Sequence, residues 1–261
     1  MQRLISALIG AFIIVAAVWY AGIPLLILTG AIVALGIREV VRILEKLDIK
    51  PSMILAQAGG LILLAGAYFF VDGYPGPTIT IILFLHFIFC LVNYPKYNLA
   101  DMASTLFVTL YIGLLYYFYL ISTLESAWIW LILMLTCTWA CDIFAFIIGK
   151  SYGRFYIVPV LSPKKTVEGT IAGIIGSTLV AGVFTFIYPD LPLVKIIVLG
   201  LLIGVAAFLG DILASAIKRQ AGIKDSGTLI PGHGGILDRF DSVFFTAPLV
   251  YYYAMILLIS K

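Results

Sequence analysis

Long apolar runs separated by short polar breaks extend along the whole chain. Each run is close to the roughly 20 residues with which a helix crosses a bilayer. About nine runs meet this length criterion, at 4–21, 23–37, 53–71, 77–94, 102–122, 126–149, 167–188, 193–214 and 241–260. No run alternates with period two, and an isolated strand cannot satisfy its backbone in lipid. The pattern predicts an all-α polytopic integral membrane protein with about nine transmembrane helices.

Composition and charge agree with this class and indicate an orientation. Hydrophobic residues make up 63% and charged residues 11% of the 261 residues, and the mean hydropathy is +1.15, outside the range of soluble domains. Lys and Arg concentrate in cytoplasmic loops. An N-in/C-out arrangement of nine spans leaves only Lys195 and Lys261, of 16 Lys and Arg, on the other side. The net charge of +3 is then a one-sided cytoplasmic field that attracts nucleotides and anionic headgroups.

Isolated reactive side chains within the spans are predicted to be structural. Cys90, Cys137 and Cys141 all fall in apolar runs, and an odd number argues against a disulfide framework. Cys137 and Cys141 are one helical turn apart, but two thiols alone make a poor zinc site. His86 stands alone in the fourth run and is predicted to be a packed or hydrogen-bonded core residue.

The character of the chain changes near Trp128. Residues 1–125 carry almost no charge within the spans, which suits scaffold, lipid or subunit contacts, whereas residues 126–261 are predicted to form the catalytic part. This second part contains two glycine pairs at four-residue spacing, which favour close helix approach. They are Gly169 with Gly173 and Gly200 with Gly204.

The densest polar cluster runs from Ser215 to Asp241, SAIKRQAGIKDSGTLIPGHGGILDRFD. Ionisable groups at a lipid boundary are costly, so this density indicates a functional site. Four carboxylates are predicted at the inner membrane face, at Asp142, Asp211, Asp238 and Asp241. Asp238 and Asp241 are three residues apart and share a face if the last span already begins there. Oxygen ligands from different helices suit Mg²⁺, although Asp238 could instead simply pair with Arg239 or Lys224.

The eighth predicted span carries polar residues of this cluster and one carboxylate that precedes it. Asp211, Ser215, Lys218 and Arg219 lie at offsets of zero, four, seven and eight and therefore share one helical stripe. A transport pathway could contain such a stripe, but transport favours ionisable groups near mid-membrane. Here they lie at the inner rim.

A second basic element, LSPKKTVEGT, spans Leu161 to Thr170. Ser162 and Pro163 are predicted as the cap and first residue of the seventh span. Lys164 and Lys165 would then occupy a first turn whose dipole repels cations, a conflict that a bound phosphate removes. Simple positive-inside anchoring is the alternative. The glycines around His233 would let backbone approach a ligand or would form a tight turn.

Together these residues resemble the phosphatidate cytidylyltransferase (CDP-diacylglycerol synthase) family. The similarity is specific over about the last half of the chain and departs at Cys141, where many relatives are expected to have serine; this affects a possible hydroxyl ligand but not the carboxylate of Asp142. The matching elements are Ser162 to Gly169, Ser215, Lys218-Arg219, Lys224-Asp225, Gly227, Ile230-Pro231, His233-Gly234-Gly235, Asp238-Arg239 and Asp241.

The resemblance implies condensation of CTP with phosphatidic acid to CDP-diacylglycerol and pyrophosphate. It implies Mg²⁺, with room for a second cation, held by Asp211, Asp238 and Asp241, with Asp142 as a weaker ligand. The catalytic set is Asp211, Asp238, Asp241 and Lys218. Phosphate and substrate contacts are expected from Lys164, Lys165, Ser215, Lys218, Arg219, Lys224, His233 and Arg239.

The implied partners are CTP, phosphatidic acid and membrane lipids, with no nucleic acid, and a homodimer is the expected assembly. The implied location is the plasma membrane, the bacterial inner membrane, with a cytoplasmic active site. Three alternatives stay open: a CTP-dependent lipid kinase, a transporter of phosphate-bearing solutes, and a structural membrane subunit.

Overall fold

The structure is a computed structural model that describes residues 2–70, 75–227 and 234–259. His233, Ile230, Pro231 and Lys261 therefore lie outside the described residues. The described ranges contain helices and no strand; Tyr156 and Thr166 form an isolated bridge. The all-α prediction is confirmed. The helices are α1 (Gln2–Tyr20), α2 (Gly22–Glu45), α3 (Met53–Phe69), α4 (Pro75–Asn93), α5 (Leu99–Gly113), α6 (Tyr116–Ile121), α7 (Ala127–Tyr152), α8 (Val167–Ile187), α9 (Leu193–Gln220), α10 (Leu237–Phe240) and α11 (Val243–Ile259).

Seven helical segments in the described part of the chain are long and apolar enough to cross a membrane. Two shorter apolar helices, Leu8–Tyr20 and Met53–Phe69, accompany them. The protein is therefore an integral membrane protein with several helical spans. In each of these segments, intrahelical hydrogen bonds can pair the backbone N–H and C=O groups without water.

Several helix ends differ from the predicted span ends. α2 continues to Glu45 and α9 to Gln220, beyond the predicted limits at 37 and 214, because hydropathy marks the end of the apolar run and not of the helix. Basic residues in the last turns, Arg42 in α2 and Lys218 with Arg219 in α9, favour the negative end of the helix dipole. Both extensions carry polar residues of the candidate site.

Two predicted spans are interrupted. The fifth divides into α5 and α6, where Leu115 N bonds to Ile112 O instead of continuing the four-residue pattern. In the last, a turn at Asp241 and Ser242 occupies the first two predicted residues and separates α10 from α11. Asp238 and Asp241 therefore do not share a continuous helix, so the condition under which one helical face would present both carboxylates is not met.

The chain divides into two compact units, and the first comprises Met1–Thr123 with Ile217–Phe240. Glycines bring its helices together: a Cβ at Gly59 would collide with Thr109, and one at Gly113 with Leu63. His86 is fully buried, with Nδ1 donating to Ile82 O at 2.7 Å and Nε2 lying 3.3 Å from Thr109 Oγ1. The prediction of a hydrogen-bonded core histidine is confirmed.

A network of polar contacts lies where the α4–α5 connection meets the start of α5 in this unit. Asn98 and Asp101 form a reciprocal capping box at the start of α5, which satisfies backbone donors that a helix start otherwise leaves open. Tyr97 donates to Asp101 O at 3.1 Å, and burial raises the pKa of its hydroxyl. These contacts fix the start of α5 and do not resemble a reactive site.

The second unit comprises Leu124–Ala216 and Asp241–Lys261. Its glycine pairs make the close helix contacts that the sequence predicts. Cβ atoms at Gly169 and Gly173 would lie 2.7 Å from Ala145 O and Cys141 O of α7, and one at Gly204 would lie 2.9 Å from Ile174 Cα of α8. Only residues without a Cβ allow this packing.

The three cysteines are buried free thiols, as expected for structural residues. The functional division into a scaffold part, 1–125, and a catalytic part, 126–261, stays a prediction. The polar segment from Ile217 to Phe240 belongs to the same compact unit as the first six helices.

Candidate functional site

The second unit holds a basic and acidic pair between the loop before α8 and the inner part of α9. Lys165 Nζ lies 2.5 Å from Asp211 Oδ2 and 4.9 Å from the centroid of the Phe208 ring. Asp211 Oδ1 accepts a hydrogen bond from Ser215 Oγ at 3.4 Å. Lys165 Nζ is buried, and its contact with Asp211 lacks the alignment of a hydrogen bond. The ammonium group therefore retains donors for another acceptor.

The start of α8 differs from the prediction. Thr166 is the N-cap, and its side chain accepts from Gly169 N at 3.2 Å. Glu168 folds back to accept from the N–H groups of Arg154 and Phe155. The prediction that Ser162 and Pro163 begin the helix is wrong, because this capping and the Tyr156–Thr166 bridge hold residues 162–165 outside it.

Lys164 and Lys165 consequently precede α8 and do not lie in its first turn. The electrostatic conflict that suggested a phosphate at the helix end is therefore absent. Lys164 is exposed, whereas Lys165 is engaged with Asp211. A role for these lysines in phosphate binding now depends on the Lys165 ammonium itself.

Asp241 is brought beside Asp211 by a close contact at Gly210. A Cβ on Gly210 would collide with Asp241 O and lie 3.1 Å from Ser242 Cα. Asp241 Oδ1 accepts from Ser242 N at 2.8 Å. Because Gly210 adjoins Asp211 in α9, the two aspartates occupy neighbouring positions in the second unit.

Asp142 lies on α7 with an exposed side chain. The preceding Cys141, at the position where a serine is expected in many relatives, donates its Sγ to Gly204 O of α9 at 3.6 Å. The thiol is buried and serves helix packing. Asp142 remains a candidate ligand by its position on the second unit.

The first unit holds a second pair, between α9 and α10. Lys218 Nζ donates to Asp238 Oδ1 at 2.5 Å. Asp238 Oδ2 accepts from Ser226 N at 2.8 Å, Ser226 Oγ at 2.9 Å and Gly235 N at 3.0 Å. The ion-pair partner of Asp238 is thus Lys218, whereas the alternative of simple charge neutralisation had named Arg239 or Lys224.

Glu39 of α2 is the polar residue that sequence reasoning missed. Its side chain is buried and accepts from Ser226 Oγ at 2.9 Å, Ile236 N at 2.8 Å and Leu237 N at 2.9 Å. The available signal was a carboxylate followed by the apolar pair Val40 and Val41, since such groups are costly near lipid and normally have a purpose.

The remaining predicted residues lie nearby along the chain but make fewer resolved contacts. Arg219 Nη1 donates to Ile223 O at 2.8 Å, which closes the end of α9. Lys224 and Arg239 are exposed. His233 lies outside the described residues, so its expected substrate contact stays a prediction.

The donor set in the second unit fits a hard cation. Asp211 and Asp241 supply carboxylate oxygens at neighbouring positions and Ser215 supplies a hydroxyl, while Mg²⁺ usually takes one or two protein carboxylates and completes its shell with water and substrate phosphates. Across the described ranges, no three His, Cys, Asp or Glu side chains form a ready-made metal cage. Asp238 fits less directly, because protein donors already occupy both of its oxygens.

Comparison with known proteins identifies relatives over the whole chain. A sequence model of the cytidylyltransferase family matches residues 1–257. The phosphatidate cytidylyltransferase of Bacillus subtilis is 30% identical over 258 residues, 96% of each protein. That of Synechocystis is 56% identical over 129 residues, 49% of this chain and 43% of the relative.

A Rickettsia bellii phosphatidate cytidylyltransferase is 42% identical over 131 residues, 47% of this chain and 57% of the relative. The matches to the Synechocystis and Rickettsia proteins thus span about half the length of those relatives, whereas the Bacillus match is nearly complete. With a family match over residues 1–257, the family expectation is confirmed, and the chain belongs to the cytidylyltransferase family.

Proposed function

We propose that the protein transfers the cytidylyl group of CTP to phosphatidic acid, which yields CDP-diacylglycerol and pyrophosphate. The observation that carries this function is the similarity to the Bacillus subtilis phosphatidate cytidylyltransferase over 96% of both proteins. The names of the relatives favour this reaction over the lipid kinase and the transporter. The match to the cytidylyltransferase family over residues 1–257 likewise favours an enzyme over a purely structural subunit.

The chemistry needs alignment and charge neutralisation more than it needs a base. An oxygen of the lipid phosphate attacks the α-phosphorus of CTP, and the bond from that phosphorus to the oxygen bridging to the β-phosphorus breaks. Pyrophosphate leaves with the bonding electron pair. A phosphate monoester has a second pKa of about 6, so the nucleophile is already ionised at neutral pH. The protein must bring two anions together in line.

In the second unit, Lys165 is proposed to bind a phosphate. Among the described residues its buried ammonium has no hydrogen-bond partner; it forms an ion pair with Asp211 and lies 4.9 Å from the centroid of the Phe208 ring. A substrate phosphate offers the aligned acceptors that the carboxylate contact does not provide. Lys164, which is exposed, would extend the same positive surface.

Asp211 and Asp241 are proposed to hold Mg²⁺, with Ser215 and Asp142 as further oxygen donors and a second cation as part of the proposal. When bound, the cation neutralises phosphate charge and polarises the phosphorus centre. Asp238, which belongs to the first unit, is proposed as a ligand from the family resemblance, and it would have to give up contacts with Lys218 or Ser226 to bind a cation. Their loss would be compensated by metal coordination and substrate phosphate.

In the first unit, Lys218, Arg219, Lys224 and Arg239 are proposed to hold phosphates of CTP or of the lipid, together with His233. Asp238 orients the ammonium group of Lys218, and the carbonyl oxygen of Ile223 orients the guanidinium group of Arg219. Lys218 and the aspartates 211, 238 and 241 form the proposed catalytic set.

The membrane arrangement is part of the proposal. Nine spans in an N-in/C-out orientation require the two shorter apolar helices to cross as well. Met53–Phe69 has 17 residues and is about 26 Å long at 1.5 Å per residue, close to the thickness of a hydrocarbon core. The active site would face the cytoplasm from the bacterial inner membrane. Residues 1–125 would provide scaffold contacts and the homodimer interface, and residues 126–261 the catalytic part.

The decisive experiment supplies the purified protein in detergent with CTP, Mg²⁺ and phosphatidic acid and follows pyrophosphate release, with the lipid product identified by mass. Pyrophosphate and CDP-diacylglycerol should appear in equal amounts, and only when all three are present. CDP together with a phosphorylated lipid alcohol would instead identify a kinase. No nucleotide turnover, with solute uptake in proteoliposomes, would identify a transporter.

A further inference from the structure

Glu39 lies far in sequence from every residue of the predicted site, yet it contacts the polar segment between α9 and α10. Its partners Ser226, Ile236 and Leu237 are 187, 197 and 198 residues away. Two of the three hydrogen-bond donors are backbone N–H groups, so the carboxylate mainly fixes the backbone conformation of this segment and does not depend on particular side chains there. Each contact lies within the first compact unit.

The carboxylate fills a space that the segment leaves for it. A Cβ on Gly235 would collide with both Glu39 oxygens and with Ser226 Oγ, and one on Gly227 would lie 3.1 Å from Glu39 Oε1. Gly235 and Gly227 therefore stand where the backbone must pass close to a carboxylate. This explains two glycines of the motif by a protein contact, without any ligand.

Glu39 and Asp238 share Ser226 between them. The Ser226 hydroxyl lies 2.9 Å from Glu39 Oε2 and 2.9 Å from Asp238 Oδ2, while Ser226 N also donates to Asp238. Asp238 in turn holds Lys218. A displacement of Glu39 is thus transmitted through one hydroxyl to the pair that the proposed function places in the catalytic set.

A buried carboxylate is costly unless donors satisfy it. The described residues include no Lys or Arg that forms an ion pair with Glu39. Two backbone N–H groups and the Ser226 hydroxyl, whose single proton is shared with Asp238, stabilise it instead. Hydrogen bonds to an ionised acceptor are short and strong. They are suited to holding backbone in one conformation.

We infer that Glu39 is a positioning residue for nucleotidyl transfer: it anchors the chain at Ser226 and at Ile236–Leu237 and thereby sets the placement of Asp238 and Lys218. The inference rests on the proposed function for the reaction, but the anchoring itself is independent of it. Protein donors occupy both carboxylate oxygens of Glu39, so the role assigned to it is to act through its neighbours.

The test compares Glu39→Gln with Glu45→Gln, which removes the same charge from an exposed position at the end of α2. Glutamine keeps the size of the side chain but has one acceptor oxygen instead of two. Amide hydrogen exchange of the full-length protein in detergent should accelerate about tenfold or more at Ile236 and Leu237 in Glu39→Gln. Glu45→Gln should leave these amides unchanged.

Kinetics then separate positioning from binding and from simple instability. In Glu39→Gln, kcat should fall about tenfold or more while KM for CTP and for phosphatidic acid changes by less than about threefold. The loss should persist after correction for the folded fraction. A raised KM with an unchanged kcat would show that Glu39 supports substrate binding instead, and faster exchange with wild-type kcat would overturn the positioning role.

Gly235→Ala provides an independent variant, since its methyl group enters the space of the Glu39 carboxylate. Alone it should reproduce the kcat loss, and combined with Glu39→Gln the loss should be smaller than the sum of the two single losses, because both variants disturb the same group of contacts around Glu39 and Ser226. Independent, additive losses would overturn the inference. If the wild-type protein makes no CDP-diacylglycerol but exchange responds as expected, the proposed function fails and the anchoring stands.

Discussion

The pair between Lys218 and Asp238 leads to a quantitative prediction about stability. Their side chains are 11% and 9% exposed, so neither charge is well solvated. Removing one partner of a buried pair typically costs about 3–5 kcal/mol, because the other charge is left uncompensated. Asp238→Asn should lower the free energy of unfolding by about 3 kcal/mol, the lower end of this range. Ser226 and Gly235 can still donate to the remaining carbonyl oxygen.

Lys218→Met should cost a similar amount, as it leaves Asp238 charged and buried. The double variant removes both charges together. Its cost should therefore be smaller than the sum of the single costs by at least about 2 kcal/mol. Equilibrium unfolding of the purified protein in mixed detergent micelles measures each value.

Lys96→Met is the matched control, because it removes an exposed ammonium from the first unit and should change stability by less than about 0.5 kcal/mol. A coupling between Lys218 and Asp238 below about 0.5 kcal/mol would refute the reasoning. It would mean that the pair is solvated or that other groups neutralise each charge.

Three further predictions concern the second unit and its cation. Gly210→Ala should lower turnover by about a hundredfold, since the methyl group displaces the chain at Asp241 and misplacement of about 1 Å has effects of this size. Thr166→Ala should lower the free energy of unfolding by about 1 kcal/mol through loss of the cap of α8, measured by the same unfolding assay. Chelation of divalent cations should abolish pyrophosphate release, and added Mg²⁺ should restore it.

Each of these has its own control. Gly182→Ala in α8 has open space around the new methyl group and should keep full turnover, so an equal loss in both glycine variants would contradict the Gly210 contact. Thr166→Ser should retain most of the stability; a loss as large as that of alanine would rule out capping by the hydroxyl. Turnover that persists in excess chelator would remove the metal assignment to Asp211 and Asp241.

The parts of the fold that could be predicted are those that lipid dictates locally. Apolar runs must form helices in a bilayer, and glycines four residues apart mark close approach, as Gly169 and Gly173 demonstrate against α7. The isolation of His86 in an apolar run likewise indicated a core residue. In each case the residues that determine the structure lie within one helical turn or one span of each other in sequence.

The errors occur where distant groups decide local structure. The start of α8 depends on Glu168 reaching Arg154 and Phe155, so Ser162 and Pro163 were misleading although they form a good local start signal. The partner of Asp238 could not be read from its neighbours in sequence, because Lys218 is 20 residues away. Glu39 was missed because its hydrogen-bond donors are 187 to 198 residues away in sequence. Two of them are backbone N–H groups, which every residue except proline has, so residue types do not reveal them.

The contact between Glu39 and Ile236 has a consequence for biogenesis. During synthesis Glu39 is made 197 residues before its backbone donor Ile236, which at about 5–20 residues per second is an interval of about 10–40 s. Throughout that interval α2 must hold an acidic group without its final partners. The contacts of Glu39 can form only late, once translation has passed Leu237. A fragment beginning at residue 126 would contain Ser226, Ile236 and Leu237 but lack the carboxylate that accepts their hydrogen bonds.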